Sequence, residues 1–421
     1  MISQKSFDFK SVVIYIFALS APLSTTFLDK PNLALLSSLF FCVFLIGLVN
    51  KSLKFNNDIV KALLYSYFFV FLFSIIGGYS VSALYSSPEQ TNKTISRIIT
   101  MCLGLSVLIV LGDWLTKVNK EQLKLFIKLS FITTCIFALL GIYQIVANKF
   151  NLPFISTRSD VYGTSSSMKE SLGFRLTSIA REPNFYSPIL FESICLAFAL
   201  LNRNKFIIFL LITLFLMFKT LSTGVYAHAI LFFTLIFVFS RVRKIYKIMI
   251  FSILGGGVAS FIYMNLDAFW LQYFMTKLQA EVSGSSLRSS VYITVLRTYL
   301  DSPYLNLFFG HGLNSLTSFD DFIIGTNSLE FAISNNLYID FLWDSGVFGL
   351  LFFILGVLYV FMALNAVKHN SKAGFSAFMM LLSLLISSLY RSEYTTTHFF
   401  WVLANIVVLY CLAKKGPDND T

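Results

Sequence analysis

Runs of about 20 apolar residues, divided by short polar breaks, recur from one end of this chain to the other. Twenty helical residues at 1.5 Å each cross a hydrocarbon layer ~30 Å thick. The pattern predicts twelve spans, at about 11–28, 32–50, 60–84, 95–112, 125–147, 183–201, 205–219, 223–240, 248–266, 337–366, 373–389 and 396–413. The runs are continuous rather than alternating in polarity, which argues against a β-barrel. The seventh is the shortest, with 13 residues between Lys205 and Lys219. No repeat at a period of 20 to 50 residues is visible. The expected fold is an all-α polytopic membrane protein, one transmembrane domain over 1–421.

Composition agrees. Hydrophobic residues make up 56% and charged residues 13%, with mean hydropathy +0.74, whereas a soluble domain carries roughly 25% charge. All five cysteines lie inside apolar runs without metal-ligand spacing, so they read as small buried hydrophobes. Lys5 and Lys10 precede the first apolar run as in a signal peptide, but the run is long and a second follows at once. It is therefore expected to be an uncleaved first span.

Charge sets the orientation. With the N-terminus inside, every short connection on the cytoplasmic side is basic, and 19 of the 32 Lys and Arg residues fall there. Both termini are then cytoplasmic. Two long segments remain on the outer side, at about 148–182 (Lys149, Arg158, Lys169, Arg175, Arg181) and 267–336 (Lys277, Arg288, Arg297). Basic residues there run against the usual preference. Anionic lipid or plain solvation accounts for some of them; an anionic substrate at the outer leaflet is the sharper explanation.

The first outer segment ends in "REPNFYSPIL", residues 181–190. Glu182-Pro183 is ordinary helix-start chemistry, since Pro at the first position has no N–H to satisfy and an acid complements the dipole. Arg181 does not fit, because a cation at a helix N-terminus is disfavoured unless an anion joins it. Pro188 is expected to kink the helix. Glu192, about two turns in, should face a polar cavity rather than lipid.

The second outer segment carries "LRSSVYITVLRTYLDSPYLNLFFGHGL", residues 287–313. Leu287, Val291, Val295 and Leu296 form an apolar stripe, as in an amphipathic helix at the membrane surface. Nine residues separate Arg288 and Arg297, which puts them on opposite helix faces. Arg288, near the helix start, can meet an anion, while Arg297 snorkels or pairs with Asp301. His311, between two glycines, reads more readily as a loop hydrogen-bonder than as a catalyst. "LSTGVYAHA", residues 221–229, is either a turn bearing hydroxyls or a broken helix lining a cavity. In "SNNLYIDFLWDSGVFGLL", residues 334–351, Asp340 and Asp344 share a helix face and are expected to remain solvated.

Together these segments resemble the O-antigen polymerase and ligase superfamily of bacterial envelope proteins. The likeness lies in the twelve-span plan, the large outer loop, the Glu-Pro that opens a span, the Thr/Ser-Gly turn, and the order Arg, Pro, Gly-x-Gly, Asn-x-Tyr, Gly-x-x-Gly-Leu. It implies a fold akin to C-type glycosyltransferases and transfer of glycan from undecaprenyl diphosphate at the periplasmic face of the inner membrane, without metal or other cofactor. It also implies Arg181 and Arg288 as diphosphate ligands, with Arg288 and Glu182 at the chemistry and Glu182 as base for the acceptor hydroxyl. Arg175, Arg297, His311, Asn335, Asn336 and Tyr338 complete the substrate-binding set. The partners implied are the lipid-linked oligosaccharide, membrane lipids and a chain-length regulator protein, with no nucleic acid. One departure favours polymerase over ligase: the ligases carry a histidine where this chain has Asn335. The alternatives are the ligase, which hands finished glycan to the lipid A core, and a polysaccharide flippase.

Overall fold

The computed structural model describes residues 8–51, 53–54, 56–85, 88–154, 175–241, 287–316 and 334–416, with scattered positions between 243 and 283. Side chains at 80–93 and at 287–290 lie outside that description. Among the described residues all regular elements are helices: α1 (Phe9–Ser20), α2 (Asp29–Val49), α3 (Asp58–Tyr85), α4 (Pro88–Lys117), α5 (Lys120–Phe150), α6 (Pro183–Leu200), α7 (Arg203–Lys219), α8 (Thr223–Phe239), α9 (Leu287–Leu300), α10 (Tyr304–Phe309), α11 (Leu337–Val367), α12 (Lys372–Ser387) and α13 (Thr397–Lys414). Seven are long and apolar enough to cross a membrane, namely α2, α3, α4, α5, α6, α11 and α13. This is an all-α membrane protein. The expected ninth span, 248–266, falls largely outside the described residues, as do 155–174 of the first outer segment.

The polar breaks in the sequence supply the helix ends. Asn119 and Gln122 form a capping box at α5, Asn202 caps α7, Ser371 caps α12 and Thr396 caps α13, each side chain accepting from an otherwise unpaired backbone N–H. The basic connections gather at one end of the bundle. There the fully buried Asp113 binds the Lys10 ammonium, the Lys54 amide at 3.0 Å and Lys117 at 3.4 Å. Lys415 donates to the Val118 carbonyl, and Lys372 to that of Leu201.

The α3–α11 pair packs through small residues. A Cβ on Gly356 of α11 would strike the Ser66 side chain of α3, and one on Gly77 of α3 would strike the carbonyls of Phe309 and Gly310 at the end of α10. Such contacts let helix backbones approach closely where lipid offers no hydrophobic driving force. α11 breaks at Gly346 (φ 68°), and the position suits glycine because a Cβ there would lie 2.4 Å from the backbone of Phe308. The break frees the carbonyls of Trp343 and Asp344, which no water would meet inside a bilayer. The "FGHGL" loop answers this: His311 N–H donates to Trp343 at 2.7 Å and Gly312 N–H to Asp344 at 3.1 Å. The glycines singled out in sequence thus serve backbone packing.

Candidate functional site

At the end opposite the basic connections, the turn between α12 and α13 carries "YRSEYTTTH", residues 390–398. It folds inward, with the Thr396 amide bonded to the Glu393 carbonyl at 2.8 Å. Nearly every side chain then reaches a different element. Tyr390 meets His228 Nδ1 of α8 at 2.8 Å, and that ring stacks on Phe191 of α6. Arg391 pairs with Glu393, donates to the Phe185 carbonyl at 3.3 Å and lies 4.1 Å over the Phe185 ring. Tyr394 donates to Asp344 of α11, and Arg97 of α4 donates to Thr395. Thr397 donates to the Ala21 carbonyl at 2.8 Å, in the 3-10 turn between α1 and α2.

His398 holds the centre. Its Nε2 lies 2.8 Å from Glu192 of α6, its Nδ1 2.8 Å from Glu393, and its backbone amide donates to Ser24 at 3.1 Å. Glu192, Asp340, Asp344, Arg391, Glu393 and His398 are all buried. Burial lowers the pKa of the Arg391 guanidinium to about 9; Tyr390 and the carboxylates of Glu192 and Glu182 act the other way, so it stays charged at neutral pH. Among the described residues no group of His, Cys, Asp and Glu is arranged to hold a metal ion.

The residues expected from sequence distribute around this turn unevenly. Glu182 occupies the N-cap position of α6 without a side-chain capping bond, half-buried, its charge acting on Arg391. Arg181 is exposed and engaged with the α1–α2 turn, 2.9 Å from Asp29 and 3.1 Å from the Thr26 carbonyl. Arg175 reaches the Thr220 carbonyl at 3.4 Å. Asn336 caps α11 and donates to the Leu389 carbonyl at 3.1 Å, while Tyr338 donates to that of Leu385 at 3.0 Å. Asn335 sits at φ 63°, a left-handed conformation asparagine tolerates well, and its carbonyl accepts from Tyr292. The starts of α6, α8 and α11 therefore meet at residues 388–398, since Ser222 of the "LSTG" turn also bonds Asn184 at 2.8 Å.

Other expected residues stand apart from this turn. Arg297 is exposed on α9. His311 lies on the far side of α11, stacked 4.1 Å from Trp343 and bonded to Ser302 at 3.0 Å. Arg288 is the second residue of α9, and its side chain lies outside the described residues.

One expectation is corrected. Asp340 and Asp344 are not solvated: they are 4% and 6% exposed, because the turn closes over α11 and supplies Tyr394 to Asp344, while the Ser334 amide donates to Asp340 at 2.8 Å. Pro188 lies inside α6, which continues as one element from Pro183 to Leu200. Arg97, Arg391, Glu393, Tyr394 and His398 were not among the residues expected from sequence. The signal for the last four was a polar nonapeptide between two apolar runs that a far shorter turn could have joined; Arg97 on α4 had none. No family model matches the chain, and no curated protein matches it.

Proposed function

We propose that this chain is a glycan polymerase of the bacterial inner membrane, with twelve spans, both termini cytoplasmic, and transfer of glycan from a polyprenyl diphosphate at the outer face. The observation that supports it is the meeting of three segments, the starts of α6, α8 and α11, at one charged turn opposite the basic connections. Those are the segments whose order carries the resemblance to the O-antigen polymerase superfamily. Arg181 and Arg175 stand at the rim with Glu182, where a diphosphate's charge would be met; Arg288 and Arg297 would come from the second outer segment. Charge on the departing diphosphate needs such fixed cations.

In the reaction the acceptor oxygen bonds to C1 of the donor sugar, the C1–O bond to phosphate breaks, and its electron pair leaves on the diphosphate. The acceptor's proton needs a base, for which Glu182 and the turn's Glu393 are the candidates. The buried Glu192–His398–Glu393 group and the break in α11 favour a second reading, proton-coupled transport of the same lipid-linked glycan.

Deleting the gene separates these readings. The expected result is one short band, a single repeat unit on the lipid A core, where wild-type cells show a ladder. Long polymer stranded on the carrier would mark a ligase, and no surface glycan at all a transporter; an unchanged ladder sinks all three. The orientation is checked by cysteine labelling in a background lacking the five native cysteines. Tyr304→Cys, 82% exposed, should react from the periplasm and Ser371→Cys only after permeabilisation. The reverse pattern overturns the topology.

A further inference from the structure

We infer that Glu192, His398 and Glu393 form a proton relay that takes up the proton of the acceptor hydroxyl, with Glu393 as its entry; this rests on the polymerase reading above. Both imidazole nitrogens lie 2.8 Å from carboxylate oxygens. An ionised carboxylate only accepts, and a neutral imidazole donates from one nitrogen. Two bonds across these three groups therefore require two protons, either on an imidazolium or on one imidazole nitrogen and one carboxyl. The geometry is that of the proton-loaded relay. Removing one proton leaves two acceptors facing each other at one bond, and that form is a base.

The burial gradient gives the relay a direction. The side chain of Glu393 is 11% exposed, against 2% for His398 and 3% for Glu192. Glu192 lies nine residues past Pro183, about 14 Å along α6. A proton thus enters at the rim and is shared inward. Arg391 pairs with Glu393 from the same turn; Cys195 and Arg391 lie in the field of Glu192; Asp340, Asp344, Tyr394 and Arg97 adjoin from α11, the turn and α4; Glu182 and Arg181 bear on Arg391 from the rim. A bundle that only needed packing would place apolar side chains here, since buried ions cost more than they return.

The step balances. With one proton aboard, the relay accepts the hydroxyl proton at Glu393 as the acceptor oxygen bonds to C1 and the diphosphate departs with its electron pair. Both hydrogen bonds to His398 are then complete. The proton returns to solvent through Glu393 before the next transfer.

Two measurements test this on the full-length protein. In lipid nanodiscs with ring-nitrogen-labelled histidine, four histidines give the signals, and His398→Gln identifies which is His398. Two donating nitrogens at His398, or one proton shared with a carboxylate, are expected at the acid end of a pH series and a single neutral tautomer, the proton-accepting form, at its alkaline end, with the two-proton form lost in Glu192→Gln. A ring signal that stays the same across the series and in Glu192→Gln overturns the relay. In cells, Glu393→Gln and His398→Gln at normal protein level should cut polymer about a hundredfold, the scale of losing a general base. Glu192→Asp should recover part of the activity lost in Glu192→Gln, and wild-type polymerisation should rise with external pH where Glu393→Gln no longer responds. Normal ladders from Glu393→Gln in a strain whose deletion lacks them overturn the relay alone. A deletion that keeps its ladder instead overturns the polymerase reading.

Discussion

Arg391→Ala is expected to cost about 3–5 kcal/mol, enough to remove most folded protein, because breaking a buried ion pair strands the other charge. Arg391 is 4% exposed, pairs with Glu393, donates to the Phe185 carbonyl and covers the Phe185 ring. Truncation leaves the Glu393 carboxylate buried beside His398 with its cation gone, and it opens a cavity between α6 and the turn. Lysine keeps the charge but cannot lie flat on the ring while donating sideways, so Arg391→Lys should recover only part. Arg391→Met combined with Glu393→Gln should recover most, since both charges are then absent and the volume is kept. Melting temperature and yield in detergent decide it. A single Arg391→Ala variant that melts like wild type would show that Glu393 does not depend on its cation.

Seven long apolar helices were legible because they follow one rule, the length of apolar chain needed to cross lipid. Asn336 was expected to bind substrate, whereas its side chain caps α11, as Asn119 and Ser371 cap α5 and α12. The centre was not legible. Glu192 was expected to face something polar, and it does, but its partner His398 lies 206 positions away and only tertiary packing joins them, since α6 and α13 both lie against α5 and α12. Asp340 and Asp344 looked shallow on α11 taken alone; the turn that buries them comes from the next hairpin. Spacing on one helix reports which residues share a face, while solvation depends on what the rest of the chain lays over that face. "FGHGL" shows the same limit. Its glycines invited a search for substrate, and the break at Gly346 that they serve lies 34 residues beyond Gly312.

His311 is expected to make stability fall as pH drops from about 6.5 to about 4. Its imidazole is 3% exposed, stacked on Trp343, and burial pushes its pKa down to about 4 from an ordinary value near 6.5. Above pH 6.5 the ring is neutral in folded and unfolded chains alike and contributes no pH dependence. Below it the unfolded chain binds a proton that the folded chain refuses, so stability declines until the folded ring also titrates near 4. The loss is up to about 3 kcal/mol from 1.36 kcal/mol per unit. His311→Phe keeps the stack but loses the bond to Ser302, about 1 kcal/mol at neutral pH. Its melting temperature should therefore lie below wild type at pH 7 and above it near pH 4.5; parallel curves would sink the assignment. The same burial bears on polymerase against ligase. Asn335 cannot take a proton, so a ligase built on this chain would turn to a histidine such as His311. An imidazole sealed against Trp343 with its pKa near 4 is a weak base at neutral pH. His311→Phe cells with normal protein levels should keep most of their glycan ladder, and a lost ladder would return His311 to the chemistry.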